Sequence, residues 1–501
     1  MHVVTREEMQ AIDRYTIRQI GLGGPLLMEN AGEAMYRELL PYLKQEEHVA
    51  VVIGKGNNGG DGFVLARRLL DDPVRVDVWL LPDPEQIEGD AAYHMRAFLA
   101  SGGSVNAIGG DPDGFADNLS SADWIVDALL GTGFHGIPRP DYARVIDAVN
   151  HAPAKVVSVD LPSGIPADGG PFAHQAVSAD LTLTLHCPKL AQFVRPAARF
   201  FGEVRTVAIG IPNAAARHVG VFRSLRTEAD VRRTLPRRDP FAHKGDFGKG
   251  LLIAGSAGMP GAAFFAAKAA LRSGIGLLRL SIPDKVRPVL AAELPETMLV
   301  ARGETDLNSY DGIAVGPGLG RDPQRTESVR AVVLADIPCV IDADGLFHLS
   351  PMKDLLKKRK SPTVLSPHPG EMARLAGTTI AQVENDRFGT ARAFAEEYGV
   401  YLVLKGKYTI ITAPDGRQAV NPTGNAALAK GGSGDVLSGI LLAFLLQHRD
   451  PMDAVCNAVY LHGALADTLV TENHSMMDVL ATDLIEEIPP VLHRLCKPAT
   501  C

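Results

Sequence analysis

The 501-residue chain contains few cysteines, and this scarcity excludes the protein classes that depend on them. The five are scattered, with no CxxC pair and no histidine cluster at the spacing of a zinc site. A disulfide framework and a structural zinc are therefore not expected, and a reducing cytoplasm is the expected compartment. For Cys187, which lies beside a segment with candidate functional residues, a small buried thiol is the favoured role. The cysteines are Cys187, Cys339, Cys456, Cys496 and Cys501.

Long hydrophobic runs and an excess of positive charge are also absent. No window reaches the roughly 18 uncharged apolar residues of a membrane span, and the N-terminus lacks the basic and apolar regions of a secretion signal. The 50 Lys and Arg against 58 Asp and Glu give a formal charge of -8. We therefore expect a cytoplasmic protein with no membrane partner and no nucleic-acid partner, since nucleic-acid binding needs a basic surface.

Glycine and short apolar runs are what the chain does contain. Its length is too great for one hydrophobic core, so two or three domains are expected. In the first half, six apolar runs are separated by glycine-rich turns and helical segments, and continuous apolarity predicts parallel strands buried on both faces. The fold class is therefore α/β, with a sheet flanked by helices. The runs are 49–53, 76–81, 124–126, 156–159, 181–185 and 204–209.

A glycine-rich segment, 54–62, follows the first run and precedes a helix predicted from Phe63. Such a loop can hold phosphate on backbone amides at a helix start. It is not a Walker A loop, because Gly60 and Asp61 stand where Lys and Ser/Thr are required, and it does not match GxGxxG.

Polar side chains follow the later strands, where ligands bind in parallel sheets. Asn58, Asp127 and Ser163 could bring hard oxygen donors together around a cation. Asp160 and Lys189 would form an acid/base pair at neighbouring strand ends. Taken singly, each could be a helix cap or a solvated lysine, but their shared position at strand ends favours a site. A serine hydrolase is not indicated, because the GxSxG elbow is missing.

The first half resembles the NAD(P)H-hydrate epimerase family over residues 1–215. The motifs that carry the resemblance are Asn57-Asn-Gly-Gly-Asp-Gly62, Asp127-Ala-Leu-Leu-Gly-Thr-Gly133 and Asp160-Leu-Pro-Ser-Gly164. The resemblance implies a Rossmann-like doubly wound domain, potassium on Asn58, Asp127 and Ser163, and proton transfer at C6 of the damaged nicotinamide by Asp160 and Lys189. It places the hydrate on Asn57, Asn58, Gly59, Gly60, Asp61, Gly131, Thr132, Gly133, Phe134, His135, Gly136, Ile137 and Asp160.

Regular periodicity fades over 213–240, where arginines and Pro236 predict a surface-running connection, and the linker is assigned to 216–240. No fold-sized repeat relates the two sides, so two different domains are expected, 1–215 and 241–501. In the second, an alanine-rich helix is predicted over 262–273. His368 lies between two prolines in a stiff loop at a strand end. The predicted strands are 251–254, 277–280, 312–315, 339–341, 363–365, 401–404 and 410–411.

The last two strands enclose a basic turn in which Lys405, Lys407 and Thr409 could hold phosphates. The segment 431–434 then leads through glycines into Asp435 and an apolar helix over 436–446. Phosphate on the backbone amides and one carboxylate beside it are what phosphoryl transfer to a hydroxyl requires. The alternative makes Asp435 an ordinary helix-start residue, favoured there by the macrodipole.

The second half resembles the ribokinase-like NAD(P)H-hydrate dehydratases over residues 240–490. The matching motifs are Gly316-Pro-Gly-Leu-Gly320, His368-Pro-Gly-Glu371, Lys405-Gly406 and Gly431-Gly-Ser-Gly-Asp435. The resemblance implies that Asp435 is catalytic and that the hydrate contacts Ala262, Gly318, His368 and Asp435. It places the nucleotide on Lys405, Gly406, Lys407, Tyr408, Thr409 and Gly434, although Tyr408 departs from the smaller residues common in the family.

Both resemblances together imply a fused enzyme of nicotinamide nucleotide repair. The first domain would interconvert the R and S hydrates of NADH or NADPH, and the second would dehydrate the S form with ADP, ATP being less favoured. Mg²⁺ is expected with the nucleotide, potassium in the first domain, and a homo-oligomer as the assembly. Two alternatives stay open: a small-molecule kinase of the same fold, and a first domain that binds a protein or nucleic acid without catalysis.

Overall fold

The computed structural model describes residues 1–110, 112–303 and 306–497, in two compact units. The N-terminal unit is His2–Val221, and the C-terminal unit comprises Met1 and the chain from Phe222 onwards. Both are α/β, which confirms the predicted fold class. Cys187, Cys339 and Cys456 are buried free thiols, Cys496 is exposed, and Cys501 lies outside the described residues. Among the described residues, no helix is both long and apolar enough to cross a membrane.

The N-terminal unit is built on a seven-stranded parallel sheet of order β3-β2-β1-β4-β5-β6-β7. The chain proceeds outwards from β1 in one direction and then, from β4, in the other. Ligands bind at such a reversal, beyond the carboxyl ends of β1 and β4. The strands are β1 (His48–Ile53), β2 (Arg75–Leu80), β3 (Val105–Ala107), β4 (Trp124–Ala128), β5 (Lys155–Val159), β6 (Leu181–Leu185) and β7 (Glu203–Val207).

In the described part of this unit, seven α-helices accompany the sheet, and a π-helical turn, Thr16–Ile20, extends the first of them. Short 3₁₀ turns cover Leu40–Tyr42, Pro84–Gln86, Leu190–Phe193 and Ala197–Arg199. The helices are α1 (Arg6–Tyr15), α2 (Gly24–Leu39), α3 (Asn57–Leu69), α4 (Gly89–Ala100), α5 (Pro112–Ser121), α6 (Pro140–His151) and α7 (Asn213–Val219).

Helix α3 begins at Asn57, so the prediction that it begins at Phe63 was wrong. The glycines form its buried first turns, where close packing leaves no room for side chains. A Cβ on Gly60 would lie 2.4 Å from Met28 Sδ, and one on Gly62 would lie 2.6 Å from Ala128 Cβ. The glycines therefore bring a helix start close to the sheet and do not form a free loop.

The C-terminal unit contains a ten-stranded sheet of order β11-β10-β9-β12-β13-β14-β15-β16-β17-β8. It is parallel except at β16, which runs antiparallel to β15 and β17. The strands are β8 (Arg223–Leu225), β9 (Lys249–Ile253), β10 (Leu277–Ile282), β11 (Met298–Ala301), β12 (Gly312–Val315), β13 (Cys339–Ile341), β14 (Thr363–Leu365), β15 (Tyr401–Leu404), β16 (Thr409–Thr412) and β17 (Gln418–Asn421).

Eleven α-helices are described in this unit. The 3₁₀ helices are Lys244–Phe247, Asp284–Val286, Leu307–Ser309, Ser350–Lys358 and Ala426–Leu428. The α-helices are α8 (Glu228–Thr234), α9 (Pro260–Arg272), α10 (Arg287–Glu293), α11 (Arg325–Leu334), α12 (Asp344–Leu349), α13 (Pro369–Ala376), α14 (Ile380–Asn385), α15 (Arg387–Tyr398), α16 (Ser433–Gln447), α17 (Pro451–Glu472) and α18 (Ala481–Cys496).

The segment predicted as a linker, 216–240, is largely structured, which corrects that expectation. Strand β8 pairs with β17 at the edge of the large sheet, and α8 packs on α17 and α18. Arg226, counted as a surface arginine, forms an ion pair of 2.9 Å with Asp453 and donates to Asn457 at 2.7 Å. The residues that bind Arg226 are distant in the sequence, so they could not be identified from it. The local composition, rich in arginine, therefore indicated an exposed connection.

Helix α16 is the buried centre of the C-terminal unit and extends the predicted helix 436–446 at both ends. It packs against α9 and α17, and Val436 through Leu445 are buried. The contact with α9 is close: a Cβ on Gly439 would lie 2.1 Å from the Ala266 carbonyl oxygen. The small residues of α9 therefore fix the position of α16 and of the glycine turn at its start.

Candidate active sites

A cavity of about 730 Å³ lies in the N-terminal unit, over the ends of its central strands. The glycine turn of α3, the loop after β4, and the ends of β5 and β6 contribute to it. The lining includes most of the residues predicted to contact the hydrate: Asn57, Asn58, Asp61, Gly131, Thr132, Gly133, Phe134 and Asp160, together with Lys189.

Five predicted contacts do not line this cavity. Gly59 and Gly60 are buried within the first turn of α3, where they make room for its packing. His135, Gly136 and Ile137 are exposed, and Ile137 retains 79% of its accessible surface. A role for these three in substrate binding stays a prediction.

Asp160 and Lys189 form the ion pair that the sequence predicts. The Lys189 side chain is fully buried, and its Nζ contacts Asp160 Oδ1 and donates to the Leu185 carbonyl at 2.9 Å. The other carboxylate oxygen accepts from the Thr132 hydroxyl. Asp160 adopts a left-handed backbone, φ 65°, which few non-glycine residues do and which is concentrated at functional sites. The carboxylate is therefore fixed in direction and paired with a cation.

Two further carboxyl groups, Asp13 and Asp61, line the same cavity. Burial, with the charge of Asp160 adding to it, raises the pKa of Asp13 to about 6. The same two causes raise the pKa of Asp61 well above its ordinary value. The cavity therefore holds two carboxyls whose raised pKa values favour the protonated form, beside a carboxylate paired with lysine.

Asp13 was missed by sequence reasoning. It lies on α1 immediately after buried Ile12 and four residues after buried Met9, so it falls on the apolar face of an amphipathic helix. A carboxylate at such a position is costly unless the site uses it. That mismatch is the signal that could have identified it.

Two of the predicted cation ligands, Asn58 and Ser163, contact the backbone of Leu130, and Ser163 also contacts the third, Asp127. Ser163 Oγ donates to Asp127 Oδ1 at 2.5 Å and accepts from the Leu130 N–H at 2.8 Å, and Asn58 Nδ2 donates to the Leu130 carbonyl at 3.1 Å. The Asp127 carboxylate also accepts from Ser158 Oγ at 2.8 Å. Hydrogen bonds therefore fix Ser163 to the Asp127 carboxylate and fix both Ser163 and Asn58 to the loop that follows β4.

Asp127 is fully buried, and burial raises its pKa despite these hydrogen bonds. No lysine or arginine in the described ranges forms an ion pair with it. A buried anion surrounded by hydroxyl, amide and carbonyl oxygens fits the ligand chemistry of a hard cation.

In the C-terminal unit, a cluster of charges lies at the start of α16. Lys405, at the end of β15, is 2.9 Å from Asp342 Oδ1 and 3.9 Å from Glu371 Oε2. Asp342, directly after β13, also accepts from Ser438 Oγ at 2.6 Å. These two carboxylates raise the pKa of Lys405 despite its burial, so it stays a cation.

Asp435 is the third residue of α16 and is half-buried beside this cluster. Burial first, and then the charge of Asp342, raise its pKa to about 7, against the opposing charge of Lys405. The helix has no side-chain cap hydrogen bond, so Asp435 is not a capping residue. A carboxylate that accepts a proton near neutral pH is suited to general-base catalysis.

The structure brings Ala262 and Gly318 together, as the hydrate prediction requires. Gly318 adopts a positive φ of 58°, and a Cβ there would lie 2.7 Å from Ala262 Cβ. His368 caps α13, its Nδ1 accepting from the Gly370 N–H at 3.0 Å, while its side chain stays 58% exposed. Its ring is therefore fixed in orientation with the outer edge open.

The predicted nucleotide turn, 405–409, connects antiparallel β15 and β16. Gly406 and Lys407 are exposed, while the Thr409 hydroxyl is turned inwards and donates to the Gly406 carbonyl at 3.2 Å. The buried guanidinium of Arg387, which sequence reasoning missed, donates to the carbonyls of Leu404 and Lys405, each at 3.1 Å. Arg387 thus supports the turn from beneath.

Comparison with known proteins identifies the family. A profile described as the YjeF-related protein N-terminus matches residues 25–191, and one described as NAD(P)H-hydrate dehydratase matches residues 250–490. A Moorella thermoacetica protein named bifunctional NAD(P)H-hydrate repair enzyme Nnr is 37% identical over 516 residues, covering 99% of this chain and 97% of that protein. The chain belongs to the family of bifunctional NAD(P)H-hydrate repair enzymes. An Escherichia coli member of the same name is 35% identical and covers 98% of this chain and 93% of its own length.

Solved structures confirm the ribokinase-like fold of the C-terminal unit. An ADP/ATP-dependent NAD(P)H-hydrate dehydratase from Bacillus subtilis, co-crystallised with ATP/Mg²⁺, is 41% identical with a TM-score of 0.51; the match covers 54% of this chain and 98% of that one. A ribokinase-like superfamily protein from Enterococcus faecalis is 27% identical with a TM-score of 0.51, covering 55% and 97%.

Family membership establishes the function class predicted from the sequence. The chain is a nicotinamide nucleotide repair enzyme that joins an NAD(P)H-hydrate epimerase, in its N-terminal unit, to a nucleotide-dependent NAD(P)H-hydrate dehydratase, in its C-terminal unit. It is therefore an isomerase and a lyase in one polypeptide.

Proposed function

We propose that the N-terminal cavity holds the hydrated nicotinamide beside Asp160 and that Asp435 is the base of the dehydratase. The observation that carries the proposal is the position of Asp435, half-buried at the start of α16 beside the paired Lys405 and Asp342. The dinucleotide phosphates would lie against the amides at the start of α3, where a helix start favours anions.

Epimerisation at C6 requires the hydroxyl to leave one face of the ring and water to add to the other. A protonated carboxyl can donate to the leaving oxygen as the C6–O bond breaks, giving water and a ring iminium. An ionised carboxylate can accept the proton of the water that then adds to the opposite face. Asp13 or Asp61 supplies the first group, and Asp160, held by Lys189 and Thr132, supplies the second.

Potassium is proposed on Asn58, Asp127 and Ser163, where the buried Asp127 carboxylate needs a counter-ion. A cation there would neutralise this charge and hold the loop around Leu130, next to Gly131 and Thr132 of the cavity. The ion's role is structural in this proposal, because the proton transfers belong to the chain's own carboxyls.

In the C-terminal unit, Asp435 would accept the proton of the C6 hydroxyl as its oxygen attacks the terminal phosphorus of the nucleotide. Lys405 would offset the charge that develops on the phosphate, and the amides of 431–434 would hold it. Phosphate then leaves from C6, a proton leaves C5, and the ring double bond is restored. The hydrate would be held by Ala262, Gly318 and His368. The nucleotide would be bound by the turn 405–409 and by Gly434.

ADP is the proposed phosphoryl donor, as expected from the fused arrangement, and Mg²⁺ is proposed to enter with it. The Bacillus subtilis relative was co-crystallised with ATP/Mg²⁺. Within residues 1–110, 112–303 and 306–497, no group of three His, Cys, Asp or Glu could hold a metal ion. Mg²⁺ would therefore be held largely by the phosphates, as it commonly is. A cytoplasmic location and a homo-oligomer stay predictions.

Mixed NADH hydrates, given to the purified protein with ADP or with ATP, test this proposal. We expect complete recovery of reduced-nicotinamide absorbance, faster with ADP, and release of phosphate in equal amount. Faster recovery with ATP would overturn the donor assignment. A stable phosphorylated product without recovered NADH would instead favour a small-molecule kinase.

A further inference from the structure

We propose that Asp342 is the positioning residue of the dehydratase, connecting the phosphate-binding Lys405 to the helix that carries Asp435. The proposal rests on the role of Asp435 proposed above. Asp342 comes directly after β13, and its side chain is almost completely buried under the start of α16. No nucleotide or hydrate contact predicted from the sequence includes it.

The two oxygens of Asp342 bind different elements. Oδ1 is 2.9 Å from Nζ of Lys405, at the end of β15, and Oδ2 accepts from the Ser438 hydroxyl of α16 at 2.6 Å. Ser438 lies three residues after Asp435, on the adjoining turn of the same helix. One carboxylate thus joins the strand that presents the cation to the helix that presents the base.

This junction lies against the glycine turn. A Cβ on Gly434 would lie 3.8 Å from Lys405 Nζ and 3.9 Å from Asp342 Oδ2. The Gly434 backbone, where a phosphate is proposed to bind, is therefore adjacent to both members of the pair. Holding Lys405 on Asp342 leaves the ammonium beside this position, so little side-chain ordering is required when the nucleotide arrives.

The same carboxylate provides a negative charge beside Asp435. Asp344 of α12 adds to it, and Lys405 opposes it. From α17, His462 Nε2 donates to the Ser433 carbonyl at 2.9 Å, and burial lowers the pKa of this histidine to about 4, so it stays neutral near pH 7. At the start of α13, Glu371 Oε2 lies 3.9 Å from Lys405 Nζ, and Glu371 Oε1 lies 3.5 Å from Nε2 of the capping residue His368.

The test is the pH dependence of dehydratase kcat/KM in the full chain, measured on S hydrate with ADP. Removing the charge of Asp342 favours the ionised form of Asp435. In Asp342→Asn we therefore expect the acidic limb of the pH profile, where kcat/KM falls as Asp435 gains a proton, to move to lower pH by ~0.5 unit or more. Because Lys405 loses its main partner, we also expect KM for ADP to rise about tenfold. Damage to packing alone would lower the rate at every pH and leave the limb in place.

Matched variants separate the contributions. Ser438→Ala removes one hydrogen bond without removing charge, so we expect a loss in kcat of about threefold to tenfold with an unmoved limb. Asp354→Asn, at an exposed carboxylate paired with Lys357 on the surface, should match the wild type throughout. His368→Gln shows whether the histidine contributes to the limb.

An unmoved limb and an unchanged KM for ADP in folded Asp342→Asn would overturn the proposal. If that variant does not fold, as judged by its thermal unfolding transition, Ser438→Ala decides, and wild-type kcat in it would overturn the proposal. An active Asp435→Asn chain would instead refute the assignment of the base, and this result is distinguishable because it requires no change at Asp342.

Discussion

The two sites present an aspartate beside a buried lysine in opposite ways. In the N-terminal unit, Asp160 itself is paired with Lys189, and the carboxyls with raised pKa, Asp13 and Asp61, lie around that pair. In the C-terminal unit, Lys405 is taken by Asp342, and Asp435 is left beside them with a pKa of about 7. In each site, the carboxylate that pairs with the lysine is held as an anion. The neighbouring carboxyl that the lysine does not bind is the one whose pKa is raised and that can exchange a proton.

The comparison explains how one chain can run two kinds of proton chemistry. The N-terminal cavity offers a fixed anion together with two carboxyls of raised pKa, which suits the proposed loss and addition of water. The C-terminal site offers a carboxyl of raised pKa and a cation beside a glycine turn, which suits the proposed single transfer to phosphate. The following predictions test the two assignments, from the largest expected effect to the smallest.

Asp435→Asn should abolish most dehydration and leave epimerisation intact. We expect turnover of the S hydrate to fall about 10²–10⁴-fold, the usual contribution of a general base. Interconversion of R and S hydrates, followed by chromatography without nucleotide, should match the wild type. Dehydration near the wild-type rate would mean that Asp435 is not the base.

Asp160→Ala should produce the reverse pattern. We expect the enzymatic R-to-S interconversion to fall about 10²–10³-fold, because the substitution removes the ion-paired carboxylate. Dehydration of purified S hydrate with ADP should be unaffected. The uncatalysed epimerisation rate, measured in buffer alone, is subtracted, and an unchanged enzymatic rate would remove the main residue from the epimerase assignment.

The dehydratase should lose activity in acid because its proposed base, Asp435, has a raised pKa. Asp435 is ionised above a pKa of about 7 and protonated below it, so kcat/KM should fall as pH drops through 7. The expected loss is about tenfold per pH unit below that value. A kcat/KM that stays constant down to pH 5 would contradict the raised pKa.

Asp13→Asn should lower interconversion by about tenfold, less than a sole acid would contribute, because Asp61 remains in the cavity. The Asp13 carboxyl holds its proton below a pKa of about 6, so the wild-type rate should fall as pH rises through 6. That step should be missing in the variant. Loss of activity without a change in the pH profile would indicate a structural role instead.

Much of this arrangement could be predicted from the sequence because parallel strands converge at one edge. The buried runs marked the strands of the N-terminal sheet, and residues directly after these runs, such as Asp127 and Asp160, had to lie at its carboxyl edge. The pairing of Asp160 with Lys189 follows from adjacent β5 and β6. The hairpin around Lys405 is likewise local, so its two strands were predictable.

The rest depended on contacts between distant segments. Asp13 reaches the epimerase cavity only because α1 is placed over it, and Ser438 meets Asp342 only because α16 is buried under close packing with α9. The predicted start of α3 was wrong because glycines usually indicate a loop. Here they lie in the helix, where neighbouring segments pack too closely for larger side chains. The prediction of an exposed linker over 216–240 was wrong because the residues that bind Arg226 lie more than two hundred positions away in the sequence.

The most direct test of two successive sites in one chain is complementation between the Asp160→Ala and Asp435→Asn proteins. Each is mixed with R and S hydrates and ADP, alone and together, and recovered NADH is followed over time. We predict that Asp160→Ala alone recovers NADH only from the S hydrate and then slows to the uncatalysed epimerisation rate. Asp435→Asn alone should recover almost no NADH. The mixture of the two proteins should recover all of the NADH rapidly. Rapid full recovery by either protein alone, or a mixture no faster than Asp160→Ala, would contradict the account.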